Sequence, residues 1–308
     1  MKTVFMIDGG AGRAIASIPA LIKHSKKNQD FRIIVHGWDS LYWGIPELHD
    51  KVFNPDQKGA FEQFFLDADK VFSPEPYRVP GYYKQEKSLA EAFDYLINET
   101  DDHSDLTPPV LVTNKNEELQ AANFMQQTKQ QQQKQKTIVI QPFGRSMEKP
   151  QENALLDQSS RSINPDTYLK LVKKLATKYN LILFAEKNFW IQEDTYTMKP
   201  ECDLRMWSAF IDAADYFIGC DSVGQHMARA LNKPGTVIIG STFAINTSYP
   251  NYFNIIEKDV QKKYSPIRIS GLESHLADRV NEGTVEFTDE EINGIYANIV
   301  KDIEKKVK

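Results

Sequence analysis

The polar residues best placed for chemistry follow an apolar run near position 220. Asp221, Ser222, Gly224 and His226 come directly after YFIG (216–219), which predicts a buried strand that leads into a helix. The start of such a helix leaves backbone N–H groups free to bind a diphosphate without a metal ion. These residues therefore predict a diphosphate site; the alternatives are a helix cap at Asp221 or Ser222 and a core histidine at His226.

A second candidate site follows the first predicted strand. TVFMI (3–7) precedes a turn that contains Gly10 and Gly12, and apolar residues at helical spacing come after the turn. The third glycine of the dinucleotide fingerprint would fall at Ile15, so the fingerprint fails. The turn predicts backbone amides at a helix N-terminus that suit an anion or a sugar hydroxyl, and a tight turn without a ligand is the alternative.

Strands that alternate with helices must position both sites. Short apolar runs predict the strands, and amphipathic stretches predict the helices between them. Such alternation is typical of α/β proteins with parallel, doubly wound sheets. The predicted strands fall at 3–7, 31–37, 70–72, 110–112, 137–144, 181–185, 216–219 and 236–240.

A low-complexity segment predicts the domain boundary. A polar helix after Glu117 is predicted to end in the run QQTKQQQQKQK (126–136). This run has no apolar side chain with which to join a core and is expected to be a solvated helix end or a linker. We therefore expect one domain at 1–136 and a second at 137–285. Residues 286–308 contain a capping box followed by isoleucines on one stripe, which predicts a terminal amphipathic helix.

Composition and charge restrict the function classes. The chain has 308 residues, of which 41% are hydrophobic and 26% charged, as in a globular protein. Its net charge of −5 disfavours nucleic-acid binding by general phosphate attraction. The opening MKTVFMIDGG has too few apolar residues for a signal peptide, or for a spanning helix of about 20 residues. We expect a cytoplasmic protein with no transmembrane segment.

Taken together, these motifs resemble family 9 of the glycosyltransferases, the heptosyltransferase-like enzymes of the GT-B fold. The family has G-D-x-(L/I)-x-x-x-P-A-L near its N-terminus, and this chain has GRAIASIPAL (12–21). The family also has D-(T/S)-G-x-x-H-x-A-x-A-L-x-x-P, which DSVGQHMARALNKP (221–234) matches with its glycine one position later. QPFGRS (141–146) resembles the opening of the family's donor domain. The resemblance implies two Rossmann-like domains facing across a cleft, with the C-terminal helix (286–308) returning to the first domain.

The resemblance implies a metal-independent transfer, with inversion, from a nucleotide-diphosphate sugar to a hydroxyl acceptor. The second domain would hold the donor, and Gly10 and Gly12 of the first turn would also contact it. Cations would stabilise the charge that grows on the leaving diphosphate, and we place Arg145 and Arg161 there. Glu186 would accept hydrogen bonds from the ribose, or would be an exposed loop acid. No cofactor is expected, and no His/Cys cluster with metal-ligand spacing occurs in the sequence.

One departure from the family concerns the general base. The family aspartate after the glycine turn would deprotonate the acceptor, but Arg13 stands at that position and cannot act as a base near pH 7. Asp39 and Asp8 are the candidate replacements, with Asp39 slightly favoured. Arg13 would then contact a phosphate or an acceptor anion, or form a salt bridge.

The acceptor side is predicted from aromatic residues. Trp38 and Trp43 follow the second strand, and sugar rings and bases both stack on such side chains. Burial in the core is the alternative for one of the two. The acceptor would be a glycan, a lipid-linked sugar or modified DNA. Two other functions stay open: a DNA-modifying glycosyltransferase that acts on a hydroxylated base, and a non-catalytic sugar-nucleotide-binding protein.

Overall fold

The structure is a computed structural model that describes residues 2–144, 147–151, 154–157, 159–185, 194–260, 263 and 283–307. These residues divide into two compact units, one that ends at Val112 and one that begins at Thr113. Each unit is built around a parallel sheet, as the alternation of strands and helices predicted. None of the described helices combines the length and the apolar composition that a membrane-crossing segment requires.

The first unit contains a four-stranded sheet in the order β3-β2-β1-β4, and every strand pair in it is parallel. Its strands are β1 (Thr3–Ile7), β2 (Phe31–Val35), β3 (Val52–Phe53) and β4 (Lys70–Phe72). Its α-helices are α1 (Ala11–Lys27), α2 (Pro80–Tyr83) and α3 (Leu89–Asn98). Shorter helical turns lie at Asp39–Tyr42, Pro46–Leu48, Phe61–Phe65 and Pro76–Arg78.

Helix α1 forms because its apolar residues recur at helical spacing. Ile15, Ile18 and Leu21 lie on one stripe and are fully buried. Helix α3 packs against α1, and its Phe93 is also fully buried. This packing holds the start of α1 at the carboxyl end of β1, where the glycine turn lies.

The second unit contains a five-stranded parallel sheet in the order β11-β10-β9-β5-β8 and an antiparallel β6-β7 hairpin. Its strands are β5 (Thr137–Gln141), β6 (Met147–Gln151), β7 (Ala154–Asp157), β8 (Asn180–Leu183), β9 (Tyr216–Cys220), β10 (Gly235–Ile239) and β11 (Asn254–Glu257). Its helices are α4 (Lys115–Gln132), α5 (Pro165–Leu175), α6 (Leu204–Ala213), α7 (Val223–Ala230), α8 (Ala244–Thr247) and α9 (Asp289–Lys306).

The strand order places a topological switch point between β5 and β9. From β5 the chain passes to β8 on one side of the sheet, and then to β9 on the other side of β5. In open parallel sheets, ligands bind outside the carboxyl ends of the strands at such a point. The strand order therefore predicts a ligand-binding site at the loops that follow β5 and β9.

The boundary between the units differs from the one expected at residue 136. Helix α4 belongs to the second unit, where it packs on α6 and β8 and buries Ala121, Met125 and Thr128. Gln132, inside the glutamine run, accepts a hydrogen bond from the backbone N–H of Leu181 (2.7 Å) and donates to its carbonyl oxygen (3.1 Å). A side-chain amide has the same donor and acceptor as a peptide group. Gln132 therefore covers the edge strand β8 instead of belonging to a linker.

The terminal helix also differs from expectation in what it packs against. The predicted capping box is present, since Thr288 and Glu291 cap each other's backbone at the start of α9. Helix α9 packs on α5 and β11, and its Ile295, Ile299 and Ile303 are buried in the core of the second unit. Hydrophobic burial thus assigns this stripe to the second unit and not, as expected, to the first. The stripe consists of Ile292, Ile295, Ile299 and Ile303.

We expect Ile299→Ala to lower the free energy of unfolding by about 2–5 kcal/mol, because it removes fully buried methyl groups and leaves a cavity. Urea denaturation at 25 °C measures this loss. Asn293→Ala, at an exposed position of the same helix, should change the free energy of unfolding by less than about 0.5 kcal/mol. Equal effects of the two substitutions would show that α9 does not complete this core.

Candidate functional site

Asp221 lies at the carboxyl end of β9 and links three loops of the second unit. Its carboxylate accepts hydrogen bonds from Thr242 Oγ1 (2.9 Å), after β10, and from Gln225 Nε2 (3.0 Å), on α7. The guanidinium of Arg161 lies 3.9 Å away. Burial raises the pKa of Asp221, and the Arg161 charge opposes that rise. Asp221 thus joins the loop after β10, the Arg161 loop and helix α7, beside the N-terminus of that helix.

The loop that carries Arg161 is held by a carboxylate that sequence analysis did not single out. Asp157 is fully buried and accepts hydrogen bonds from the backbone N–H and the hydroxyl of both Ser159 and Ser162. Arg161 donates its backbone N–H to Asp157 and its Nε–H to the Ser159 hydroxyl (3.0 Å). This network directs the guanidinium towards Asp221. The Asp-x-Ser-x-x-Ser spacing is the sequence signal that was missed.

Ser222 is the N-cap of helix α7 and Gly224 lies in its first turn, where a free backbone amide was expected. The Gly224 amide is instead occupied, because it donates to Gln141 Oε1 at 2.7 Å. A Cβ at Gly224 would lie 2.4 Å from that oxygen and 2.8 Å from the Phe217 ring, so only glycine fits. Gly224 thus permits close packing against Gln141 and Phe217, and its amide is not one of the free donors expected at this helix start. Ser222 is half-buried, and its hydroxyl makes no capping bond to its own helix.

His226 is buried on the first turns of α7. Its Nδ1 hydrogen-bonds to the hydroxyl of Tyr249 (2.8 Å). Burial, together with the nearby charge of Arg161, lowers the pKa of His226 to about 4, so the ring is neutral at pH 7. A neutral imidazole whose Nδ1 accepts from a tyrosine carries its proton on Nε2 and can donate it to an oxygen.

Three buried polar atoms near Asp221 have no hydrogen-bond partner among the described residues: Ser160 Oγ, Gln225 Oε1 and Ser248 Oγ. Ser160 has a positive φ of 50°, and its carbonyl oxygen accepts a hydrogen bond from Ser241. Gln225 donates to the carbonyl oxygen of Thr247, next to Ser248. Each buried unsatisfied group costs about 1–3 kcal/mol. The other buried unsatisfied side-chain atoms among the described residues belong to the first unit. These three lie in segments that hydrogen bonds connect to Asp221 or to its neighbours, where a polar ligand or ordered water would satisfy them.

The glycine turn of the first unit begins with Asp8 and Gly9. Asp8 is exposed and accepts a hydrogen bond from the Gly9 amide (2.5 Å), so its carboxylate shapes the turn, as weighed from the sequence. Gly9 has a φ of +100°, which a side chain would strain. Gly10 is the N-cap of α1 and has open space where a Cβ would lie, whereas Gly12 is already inside the first helical turn.

Arg13 is only 5% exposed and forms an ion pair within the first unit. Its Nη1 lies 3.1 and 3.3 Å from the two carboxylate oxygens of Glu75, and its guanidinium lies over the Tyr77 ring, 4.8 Å from the ring centroid. A buried cation requires such a partner. Of the alternatives left open for Arg13, the structure shows a salt bridge, with Glu75 as the partner. Glu75 follows β4 and was not singled out from the sequence.

The two tryptophans expected on the acceptor side follow β2, and one of them contacts the glycine turn. Trp38 is half-buried and donates its Nε1–H to the carbonyl oxygen of Gly9 (2.9 Å), while Trp43 is 57% exposed. Asp39 begins the short helical turn between them and is half-buried. Its carboxylate has no hydrogen bond or ion pair with the rest of the described chain. The structure thus brings Trp38 to the glycine turn, with Asp39 next to it in the chain, and leaves Trp43 open to solvent.

Two predicted donor residues, Arg145 and Glu186, lie outside the described residues. Within them, no three His, Cys, Asp or Glu side chains are close enough to hold a metal ion. Asp67 and Asp69 have the Asp-x-Asp spacing that suits a divalent cation. Asp67 binds the side chains of Arg32 (2.7 Å) and Lys2 (2.5 Å), and Asp69 accepts from the Lys2 backbone N–H (2.7 Å). Both carboxylates are therefore engaged within the first unit.

Comparison by sequence finds no relative: no protein-family model and no curated protein matches this chain. Several solved structures do share its fold. The ADP-heptose lps heptosyltransferase II of Escherichia coli has a TM-score of 0.66 at 13% identity, over 99% of both chains. The family 9 glycosyl transferase of Veillonella parvula has a TM-score of 0.56 at 10% identity, over 83% of this chain and 86% of its own.

A third neighbour is TibC of enterotoxigenic E. coli, a dodecameric heptosyltransferase described as iron-containing and solved in complex with ADP-D-beta-D-heptose. Its TM-score is 0.60 at 11% identity, over 100% of this chain and 77% of its own. At such low identities the likeness establishes the fold. The chain has the GT-B fold, and its structural neighbours are the heptosyltransferases that the sequence motifs resemble.

The low pKa of His226 predicts a pH dependence of stability. Between pH 6.5 and about 4 the unfolded chain takes up a proton at this residue and the native chain does not, so stability is lost as the pH falls through that window. The loss from this group approaches about 3 kcal/mol at pH 4. Urea unfolding across pH 7.5–4.5 should show a shallower fall for His226→Gln than for the wild type. Parallel curves would contradict the buried neutral state; the exposed His36→Gln is the control.

Proposed function

We propose that this chain is a family 9 glycosyltransferase of the heptosyltransferase type. It would transfer a sugar from a nucleoside diphosphate to a hydroxyl acceptor, with inversion and without a metal ion. The observation that carries the proposal is the cluster of Asp221, Ser222, Arg161 and His226 at the switch point of the second sheet. The shared fold with heptosyltransferases over nearly the whole chain supports it.

In this proposal the second unit stabilises the departing diphosphate. The bond from the anomeric carbon to the phosphate oxygen breaks, and negative charge grows on that oxygen. The guanidinium of Arg161, the positive end of the α7 dipole and the Nε2–H of His226 would all favour this charge. Asp221 would hold Arg161 and the α7 N-terminus in place. Because a structural neighbour was solved with ADP-heptose, ADP is the first nucleotide to test.

The first unit would supply the general base. We propose Asp39, since its carboxylate is half-buried, is unpaired among the described residues, and lies next to Trp38, which is bonded to the glycine turn. The acceptor hydroxyl would give its proton to Asp39 while its oxygen forms the bond to the anomeric carbon. Asp8 is the second candidate, but it already accepts the Gly9 amide. Trp43 would provide the exposed ring on which an acceptor sugar stacks.

A second candidate function is sugar-nucleotide binding without turnover. The Arg13–Glu75 ion pair favours it, because it fills the place where the family would carry its catalytic carboxylate. Such a protein would bind the donor as the enzyme does and would transfer nothing to any acceptor.

We expect a nucleotide-diphosphate sugar to raise the melting temperature, in a screen of ADP-, UDP-, GDP- and CMP-sugars. Arg161→Met should weaken the binding at least about tenfold by calorimetry, because one charge-assisted contact with the diphosphate is lost. Arg229→Met, which removes a cation stacked on Tyr252 in the same unit, is the control. Transfer should survive excess EDTA. Loss of transfer in EDTA with rescue by a metal ion would refute metal independence, and binding of none of the donors would refute the function.

We expect Asp39→Asn to lower kcat about 100-fold or more with donor affinity nearly unchanged, because the amide cannot take the acceptor proton. Transfer kinetics with the donor identified by the screen measure the change. Asp8→Asn should have a smaller effect, and Asp30→Asn, on the exposed surface of the same unit, should have none. Full turnover by both Asp39→Asn and Asp8→Asn would rule out this assignment of the base.

A further inference from the structure

We infer that Gln141 is a positioning residue that fixes the Ser222 hydroxyl as a hydrogen-bond donor towards the donor diphosphate. The inference rests on the proposed function and adds to it a residue with no role assigned so far. Gln141 is the last residue of β5, is fully buried, and lies at the switch point of the second sheet.

The orientation of the Gln141 amide follows from the chemistry of its two contacts. A backbone N–H can only donate, so the atom that faces the Gly224 amide at 2.7 Å must be the oxygen, Oε1. The NH₂ group then faces Ser222, with Nε2 lying 3.1 Å from Oγ. An amide NH₂ can only donate, so Oγ must accept. A flipped amide would set two donors against each other at Gly224.

This arrangement decides what Ser222 does with its own proton. Because Oγ accepts from Gln141, the hydroxyl proton points away from that amide. Ser222 makes no capping bond to α7, and its O–H finds no acceptor among the described residues. The side chain is half-buried at the N-terminus of α7, where the helix dipole favours an anion. The hydroxyl is therefore set to donate to an oxygen that carries negative charge.

Gly224 is the third residue of this hydrogen-bonded arrangement. The contact between its amide and Gln141 requires a residue without a Cβ, since a Cβ would lie 2.4 Å from Oε1. Gly224 thus leaves room for the Gln141 side chain, and the Gln141 amide fixes the orientation of the Ser222 hydroxyl. In this inference the hydroxyl then faces the ligand. Asp221 lies just before Ser222 but is tied to Thr242 and Gln225, so it does not compete for the hydroxyl proton.

The test is calorimetric binding of ADP, with inorganic pyrophosphate as a probe that carries no base. Ser222→Ala should weaken ADP binding about tenfold, the loss of one hydrogen bond to a charged group. Gln141→Glu keeps the oxygen for Gly224 and places a second oxygen against Ser222, which reverses the hydroxyl. It should weaken ADP binding by more than tenfold in the wild-type background, and by a clearly smaller factor in the Ser222→Ala background.

The matched control is Gln132→Glu, which makes the same change at a glutamine that also bonds to the backbone, but at the β8 edge. It should bind ADP as the wild type does. An equal loss from Gln141→Glu with and without the Ser222 hydroxyl would overturn the inference, since the added charge alone would then explain it. If Gln141→Glu does not fold, Ser222→Thr decides: tighter ADP binding than Ser222→Ala supports the inference, and equal binding overturns it. Absence of all nucleotide binding by the wild type would refute the proposed function as well.

Discussion

Parallel strand pairing is the constraint on which the rest of the structure depends. Every pair in the two main sheets is parallel, so the carboxyl ends of neighbouring strands meet at one edge, and residues distant in sequence become neighbours there. In the first unit this edge collects Gly9, Trp38 and Glu75. In the second it collects Gln141 and Asp221. The residues that could do chemistry are thus gathered by backbone pairing before any side chain interacts.

Buried polar side chains then hold the loops at these edges. Asp157 ties down the Arg161 loop, and Gln141 binds the start of α7. In a water-excluded site an unmade hydrogen bond costs more than a made one contributes, so such side chains restrict each loop to one conformation. Against this background the unsatisfied oxygens of Ser248 and Gln225 stand out. A ligand with several hydrogen-bond donors, or ordered water molecules, would satisfy these oxygens.

Sequence periodicity was sufficient to predict the α/β class and most strands, because apolar runs and glycine turns are local signals. The 221–226 motif also correctly predicted a buried strand that leads into a helix, because both elements are encoded locally. Contacts between distant positions left no such signal: Arg13 and Glu75 are 62 residues apart. The domain boundary was placed at the glutamine run because that run has no apolar side chain, whereas Ala121 and Met125, which α4 buries in the second unit, lie earlier in the helix. Residues 110–112, expected as a strand, are irregular.

We propose that a nucleotide diphosphate binds at the carboxyl edge of the second sheet, at the start of α7. Hydrogen–deuterium exchange of the full chain with and without saturating ADP tests it most directly. We expect slower exchange in peptides that cover 157–162 and 220–226, because the bound ligand would order both loops and cover their amides. Slower exchange confined to the glycine turn at 8–13, with the α7 peptides unchanged, would contradict it.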